Sequence, residues 1–450
     1  MKIQVKNLGP LKQAEFEPGD FTIICGYNNT GKTYITYAFS GFLELWREVV
    51  SITVPDKNVA QLLADGVTTI NIQEYINNAQ TILDQGCKAY TKLLPRVFAS
   101  AEKKFSKTEF HVNIDTTHID INKSFEKTIS SAEFDQFSIS KSSDNAGMTI
   151  TLLGNKEKIR NIPHENIERH ICDAIKDVVF GHVFPGPVMA SMERTGEVMF
   201  RKELLFTQNL AKEHREYISY AMPVIRSIES SRYLKEITKK DSYIAKECPE
   251  LLDDFASIVG GEYTITENDV LYFRPKGKRI ALTMSESSSS VRSLLEVGFY
   301  LRHAAKRGGM LMVDEPELAL HPENQRLITR LFARLVNIGI KVFITTHSDY
   351  IIKELNTLIM LNNVNNMPHL KAIMDKEGYK PEELISADKV KVYITEEKLI
   401  KLEGEPRRKR HQTLVPADID PSFGIEAISF DKTINDMNRI YETIIFSEKE

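Results

Sequence analysis

Cysteine is scarce in this chain and never clustered. Cys25, Cys87, Cys172 and Cys248 stand far apart, with no Cys-x-x-Cys pair and no grouped histidines. That excludes a zinc ribbon and argues against a disulfide framework, leaving reduced cytosolic thiols as the simplest reading. There is no run of 18 apolar residues, so no transmembrane helix is predicted. The opening segment, MKIQVKNLGPLKQ, lacks the apolar core of a signal peptide. A transporter would need another chain for its membrane part. Internal repeats and low-complexity tracts are also missing. Charge of one sign is not in excess: 58 Lys+Arg against 62 Asp+Glu give a net charge of -4. That balance does not argue for a wholesale nucleic-acid coat, and it leaves room for a local basic groove.

What is present is ordinary for a folded soluble protein, with 42% hydrophobic and 27% charged residues. The 450 residues suggest about three domains or lobes. Residues 2–25 read as strands, with turn signals at Gly9-Pro10 and Pro18-Gly19. Tyr37, Ala38, Phe42 and Leu43 then fall at helical spacing to about Trp46. The stretch 58–104 is helical in pattern. Phe110–Ile114, Phe137–Ile139 and Met148–Leu152 read as strands, and 164–179 as a helix. Pro187–Ala190 reads as a short buried strand, 200–258 as charged helices, and Glu262–Arg279 as a small β meander. From 291 onward helix and strand alternate, the α/β pattern of a mainly parallel sheet.

Gly26-x4-Gly31-Lys32-Thr33 has the Walker A spacing, after a predicted strand and before a predicted helix. Glycines let backbone N–H groups turn inward around phosphate oxygens, and the helix N-terminus adds partial positive charge. The loop residues Gly26, Asn28, Asn29, Thr30, Gly31, Lys32 and Thr33 are therefore candidates for binding ATP. Lys32 would reach the β- and γ-phosphates, and Thr33 would offer its hydroxyl to Mg2+. The apolar strand Met310–Val313 ends in Asp314-Glu315, a Walker B pattern. Asp314 suits Mg2+, and Glu315 suits the attacking water. Lys341–Thr345 is a third buried strand, closing on Thr346-His347-Ser348. A histidine there sits where open α/β sheets bind ligands.

Walker A, Asp-Glu-Pro-Glu-Leu-Ala-Leu-His-Pro (314–322) and Thr-Thr-His-Ser (345–348) together resemble an ABC-type ATPase head. The likeness is to the OLD-family and related stand-alone ATPases of bacterial defence systems (the AAA_15-type, SMC-like branch), over about 1–46 and 185–360. The resemblance implies dimers, or higher homo-oligomers, with ATP sandwiched between copies. Lys32 and Thr33 would bind it from one subunit. Glu315 would be the catalytic carboxylate and His347 the switch histidine, with Lys32 assisting catalysis. The partner's signature would be Ser287–Ser293, with Ser288, Ser289 and Ser290 at a helix start, serines standing where the usual LSGGQ has glycines. Leu318–Pro322 matches a segment crossing the dimer interface, and Glu193-Arg194 a segment in place of a clear Q-loop.

The expected architecture is an α/β ABC-type P-loop head with a mainly parallel sheet and an inserted α+β and helical arm region. The head would comprise 1–46, 185–199 and 259–450, interrupted by an insertion at 47–184 and a helical arm at 200–258. The C-terminal part holds Asp418-x-Asp420 but no fitting Glu-bearing element, so a nuclease is expected in a separate effector, not here. Pro406–His411, with Arg407, Arg408, Lys409 and Arg410, is the one strong basic run, able to meet nucleic-acid phosphates or an acidic protein. The resemblance implies a cytoplasmic ATPase that scaffolds or senses for an effector nuclease or toxin in anti-phage defence. Its alternatives are a DNA-end or gap-binding repair ATPase and a slow-turnover scaffold.

Overall fold

The structure is a computed structural model describing residues 1–119, 123–130, 135–153, 164–201, 203–207, 220–232, 234–266, 270–402, 406–425 and 428–447. The chain divides into two compact units. One comprises Met1–Val5, Phe42–Leu94 and Thr108–Gly186; the other Lys6–Gly41, Pro95–Lys107 and Pro187–Glu450. The sequence-based partition differs in detail, because 95–107 group with the second unit and 42–46 with the first. No helix among the described residues is long and apolar enough to cross a membrane.

The second unit is built on a large sheet. Its strands are β1 (Leu11–Phe16), β2 (Phe21–Gly26), β3 (Pro187–Ala190), β4 (Met310–Asp314), β5 (Lys341–Thr346), β6 (Val390–Ile400) and β7 (Lys409–Pro416). Their order is β1-β7-β6-β2-β5-β4-β3. From β6 to β3 every neighbouring pair is parallel, and only β6–β7 is an antiparallel hairpin. The mixed α/β, mainly parallel fold expected from the sequence is thus observed. All residues of β2 and β4 are buried, as strands covered on both faces must be. That is why they read as continuous apolar runs rather than alternating ones.

The register sets the site. Asp314 lies opposite Thr345, Thr345 opposite Ile24, Thr346 opposite Cys25, and Gly26 opposite Thr395 of β6. The strands therefore end in step, and the residues following β2, β4 and β5 emerge on one edge of the sheet. Crossover helices hold that edge: α1 (Lys32–Val49) after β2, α2 (Arg194–Met199) after β3, α3 (Ser289–Phe299) before β4, α4 (Pro322–Asn337) after β4 and α5 (Asp349–Asn362) after β5. Phe39 of α1 packs against Phe16 and Phe343, and Phe332 of α4 packs edge-on against Phe21. These contacts fix the helices to the strands that position the loops.

The first unit contains a four-stranded antiparallel sheet in the order Val67–Asn71, Gly147–Leu152, Asp135–Lys141, Phe125–Ser130. Phe42, Tyr90, Phe110 and Phe184 form its aromatic core, with Phe42 ring centroids 5.3–5.5 Å from the other three. The Val67–Asn71 strand corrects the all-helical reading of 58–104. Thr68 and Ile70 face inward there, so a threonine occupies a core position and apolar alternation is lost. Of the 200–258 arm, residues 202, 208–219 and 233 lie outside the described residues, including Lys202, Lys212 and Arg215. The rest includes helices Met222–Ser231, Tyr243–Glu247 and Glu250–Val259, and the expected meander follows as Gly261–Ile265, Leu271–Pro275 and Leu282–Thr283.

Candidate functional site

A cavity of about 540 Å3 opens over the C-terminal ends of the strands. It is lined by Pro10, Asn28, Asn29, Gly31, Lys32, Thr33, Tyr34, Met192, Glu315 and His347. The phosphate loop, the catalytic carboxylate and the switch histidine of the sequence reading thus share one chamber.

The loop's conformation depends on glycine. Gly26 has φ +135°, and a Cβ on it would lie 2.4 Å from Thr395 Oγ1. Gly31 has φ +105° and sits tight against Leu11. Thr30 does not line the chamber; its hydroxyl donates to the Tyr27 carbonyl (2.6 Å) and meets Thr395 Oγ1 (2.5 Å). It braces the loop against β6. Lys32 Nζ donates to the carbonyls of Gly26 (3.0 Å) and Tyr27 (2.9 Å). Burial lowers its pKa, while Glu315, Asp314 and Glu317 favour its charge. A desolvated ammonium at a helix N-terminus is a strong partner for phosphate oxygens.

Asp314 is fully buried. Burial raises its pKa to about 6, against the pull of the Thr345 and Thr33 hydroxyls, which favour the carboxylate. Thr345 Oγ1 donates to one carboxylate oxygen. The other, Oδ2, is buried with no hydrogen-bond partner among the described residues. An orphaned buried carboxylate oxygen beside a threonine hydroxyl fits a hard divalent cation such as Mg2+. Asp314 and Thr33 would hold it, and it would supply neutralising charge to the phosphates.

Glu315 has φ +50°, a left-handed conformation costly for a non-glycine residue. Its N–H donates to Thr345 Oγ1 (3.0 Å), and its side chain faces His347 Nδ1 at 3.4 Å. The same imidazole nitrogen lies 3.4 Å from Glu317. Glu317 is buried and accepts hydrogen bonds from Thr346 Oγ1 (2.7 Å) and the His347 N–H (2.8 Å). It anchors the loop that follows β5, a role the sequence reading did not assign. Its place as the third carboxylate of Asp-Glu-Pro-Glu was the available signal.

Ser288, Ser289 and Ser290 are not part of this chamber. Ser288 caps α3, accepting from the Val291 N–H (3.3 Å), and Ser288 and Ser289 are exposed. Arg292 steadies the segment through the Met284 carbonyl and Ser289 Oγ. Asp420 accepts hydrogen bonds from the N–H groups of Ser422 and Phe423, so it caps a turn. Arg407–Arg410 is exposed around the end of the β6–β7 hairpin.

Beside the site lies a buried acidic pair. Ser191 donates to Glu197 (2.7 Å), and Ser227 donates to Glu296. Burial, then repulsion from Glu296, pushes the Glu197 pKa up to about 8, against the Ser227 and Ser191 hydroxyls and with a further push from Glu193. Glu197 therefore keeps its proton in the folded state over a range where the unfolded chain has lost it. Its contribution to stability is fully present below the unfolded value and falls as pH rises towards 8. Glu197→Gln, which mimics the protonated form, is expected to flatten that decline. At pH 8.5 it should gain on the order of 2–4 kcal/mol over the native chain. Urea melts between pH 5 and 8.5 measure this; parallel pH curves for the two proteins would contradict it.

A family model described as AAA ATPase domain (AAA_15) matches residues 202–352. The match is with less than half of the chain, and it takes in α3, Asp314-Glu315 and His347 but not the phosphate loop. No curated protein matches the chain. Among solved structures, the SMC head domain from Thermotoga maritima is 10% identical, covering 93% of this chain and 98% of that one, with a TM-score of 0.33. The Smc head domain with an extended coiled coil, bound to the C-terminal domain of ScpA and derived from Pyrococcus furiosus, is 13% identical. It covers 98% of both chains with a TM-score of 0.33. Scores of that size establish no shared fold, so the fold rests on the strand order and register given above.

Proposed function

We propose that this chain binds and hydrolyses ATP as an ABC-type ATPase, and that two or more copies assemble around the nucleotide. The observation that carries the reading is the convergence of Lys32, Thr33, Asp314, Glu315 and His347 on one sheet edge. In this reading Lys32 and the loop N–H groups grip the phosphates. Glu315 accepts a hydrogen bond from water and aims it at the γ-phosphate, and His347 beside it registers that phosphate. The cap of α3 at Ser288–Ser290, with Ser288 and Ser289 exposed, serves the second copy's nucleotide in this reading, the role the motif resemblance gives it. Assembly and hydrolysis then time a switch that controls a separate effector. Anti-phage defence of the OLD-like type, in the cytoplasm, is the setting the motif resemblance favours. A DNA- or RNA-contacting repair ATPase is the second reading, favoured by the exposed Arg407–Arg410 run.

Mass photometry with and without Mg-ATP tests assembly, with Lys32→Ala as control. The native chain is expected to shift to dimers or larger species with ATP. Lys32→Ala is expected to stay unshifted and to lose at least about 100-fold in ATP affinity, the scale of removing a desolvated charge-assisted contact. A native chain that ignores ATP would overturn the proposal. Hydrolysis stimulated by DNA would favour the repair reading.

A further inference from the structure

Arg194 is 1% exposed, and its guanidinium serves main-chain carbonyls. Nε donates to Ser293 (2.8 Å), Nη1 to Ser191 (2.8 Å) and Asp314 (2.6 Å), and Nη2 to Glu315 (2.7 Å). Four carbonyls in three segments converge on one side chain. They come from the turn after β3, the end of β4 and the first turns of α3. Two belong to the Walker B pair itself. The Ser293 carbonyl belongs to the helix whose exposed N-terminus bears Ser288–Ser290.

The grip falls on a strained point. Glu315 holds φ +50°, and its peptide groups are fastened from two sides. Thr345 Oγ1 takes the N–H, and Arg194 takes the C=O. The Leu318 N–H also donates to that carbonyl (3.1 Å), so without the guanidinium a main-chain hydrogen bond alone would restrain it. Lysine cannot replace the fork, because one ammonium on a flexible stem does not reproduce the planar spread of five N–H donors.

We propose that Arg194 is a positioning residue: it fixes the strained Glu315 backbone and ties it to α3, so that engagement of the α3 N-terminus by a second copy's nucleotide is transmitted to the carboxylate of its own chain. The inference rests on the proposed ATPase reading and deepens it. Coupling here needs no chain of side chains, since one guanidinium touches both elements.

The test uses Arg194→Lys and Arg194→Gln in the full chain, each also combined with Glu315→Gln. Affinity for a fluorescent non-hydrolysable ATP analogue is expected to stay within about 3-fold of native, because Lys32 and Thr33 are untouched. Turnover is expected to fall about 100-fold in kcat with little change in KM. In the Glu315→Gln background, the ATP-trapped oligomer is expected to dissociate at least about 10-fold faster when Arg194 is replaced. Native turnover and an unchanged oligomer lifetime in Arg194→Lys would overturn the proposal. So would loss of folding, analogue binding and assembly together, which would mark a purely structural role. If Glu315→Gln alone forms no ATP-dependent oligomer, the ATPase-assembly reading fails instead, and the kcat arm still judges the hold of Arg194 on Glu315.

Discussion

Glu315→Gln is expected to lower ATP turnover by about 100- to 1000-fold while leaving nucleotide binding intact. Glutamine keeps the size of glutamate and can sit on the same left-handed backbone, whose N–H is held by Thr345 Oγ1. It loses the negative charge that would orient and polarise water. Lys32, Thr33 and Asp314 remain in place, so ATP still binds but persists. In an assembling switch, the consequence is an ATP-bound oligomer that accumulates instead of cycling. Phosphate release and mass photometry on the same samples read both effects. If the chain were a static scaffold using ATP as glue, turnover would already be low and the substitution would change neither signal. His347→Ala should act in the same direction but less strongly. Its ring is half exposed and lies beside Glu315, so it assists the carboxylate rather than supplying it.

Much of the site could be read from the sequence because its strands are buried on both faces. Phe21–Cys25, Met310–Val313 and Lys341–Thr345 are mostly apolar, with Thr22 the one polar residue inside the first, and each stops where polar chemistry begins. Lys32, Asp314, Glu315 and His347 mark those stops. What escaped the sequence reading acts through the main chain. The sequence reading named Glu193-Arg194 but not what Arg194 holds: its partners are carbonyls, which any residue type supplies, so no pattern announces them. Glu317 likewise binds the His347 N–H. Thr395 braces the phosphate loop from a strand more than 360 residues away in sequence, and only the register of β6 against β2 reveals it. In the first unit, Val67–Asn71 was hidden because threonine fills a core position. The Ser-rich cap of α3 was legible as a helix start, whereas its exposure outside its own chain's chamber was not.

Gly26→Ala should damage nucleotide binding almost as severely as removing Lys32. The cause is geometric and lies in two backbones. Gly26 pairs with Thr395 in register across the parallel β2–β6 ladder and turns at φ +135°, where an L side chain is strained. A Cβ there would lie 2.4 Å from Thr395 Oγ1 and 2.7 Å from the Thr395 carbonyl oxygen. The threonine hydroxyl could rotate away, but the carbonyl belongs to the strand and cannot. Either β6 shifts or the loop abandons its turn. The second course also displaces the Gly26 carbonyl, to which Lys32 Nζ donates. ATP affinity is therefore expected to fall at least about 100-fold, roughly 2.7 kcal/mol, with the melting temperature lowered by a few degrees. Gly196→Ala is the matched control, since a Cβ at Gly196 meets nothing within 4 Å and its φ is not positive. Thr395→Ala combined with Gly26→Ala separates the two contacts. Removing the hydroxyl relieves the 2.4 Å approach and leaves the 2.7 Å one, so rescue should be partial. Full rescue would mean that the side chain alone constrains the loop; no rescue would place the whole cost in the backbone of the turn.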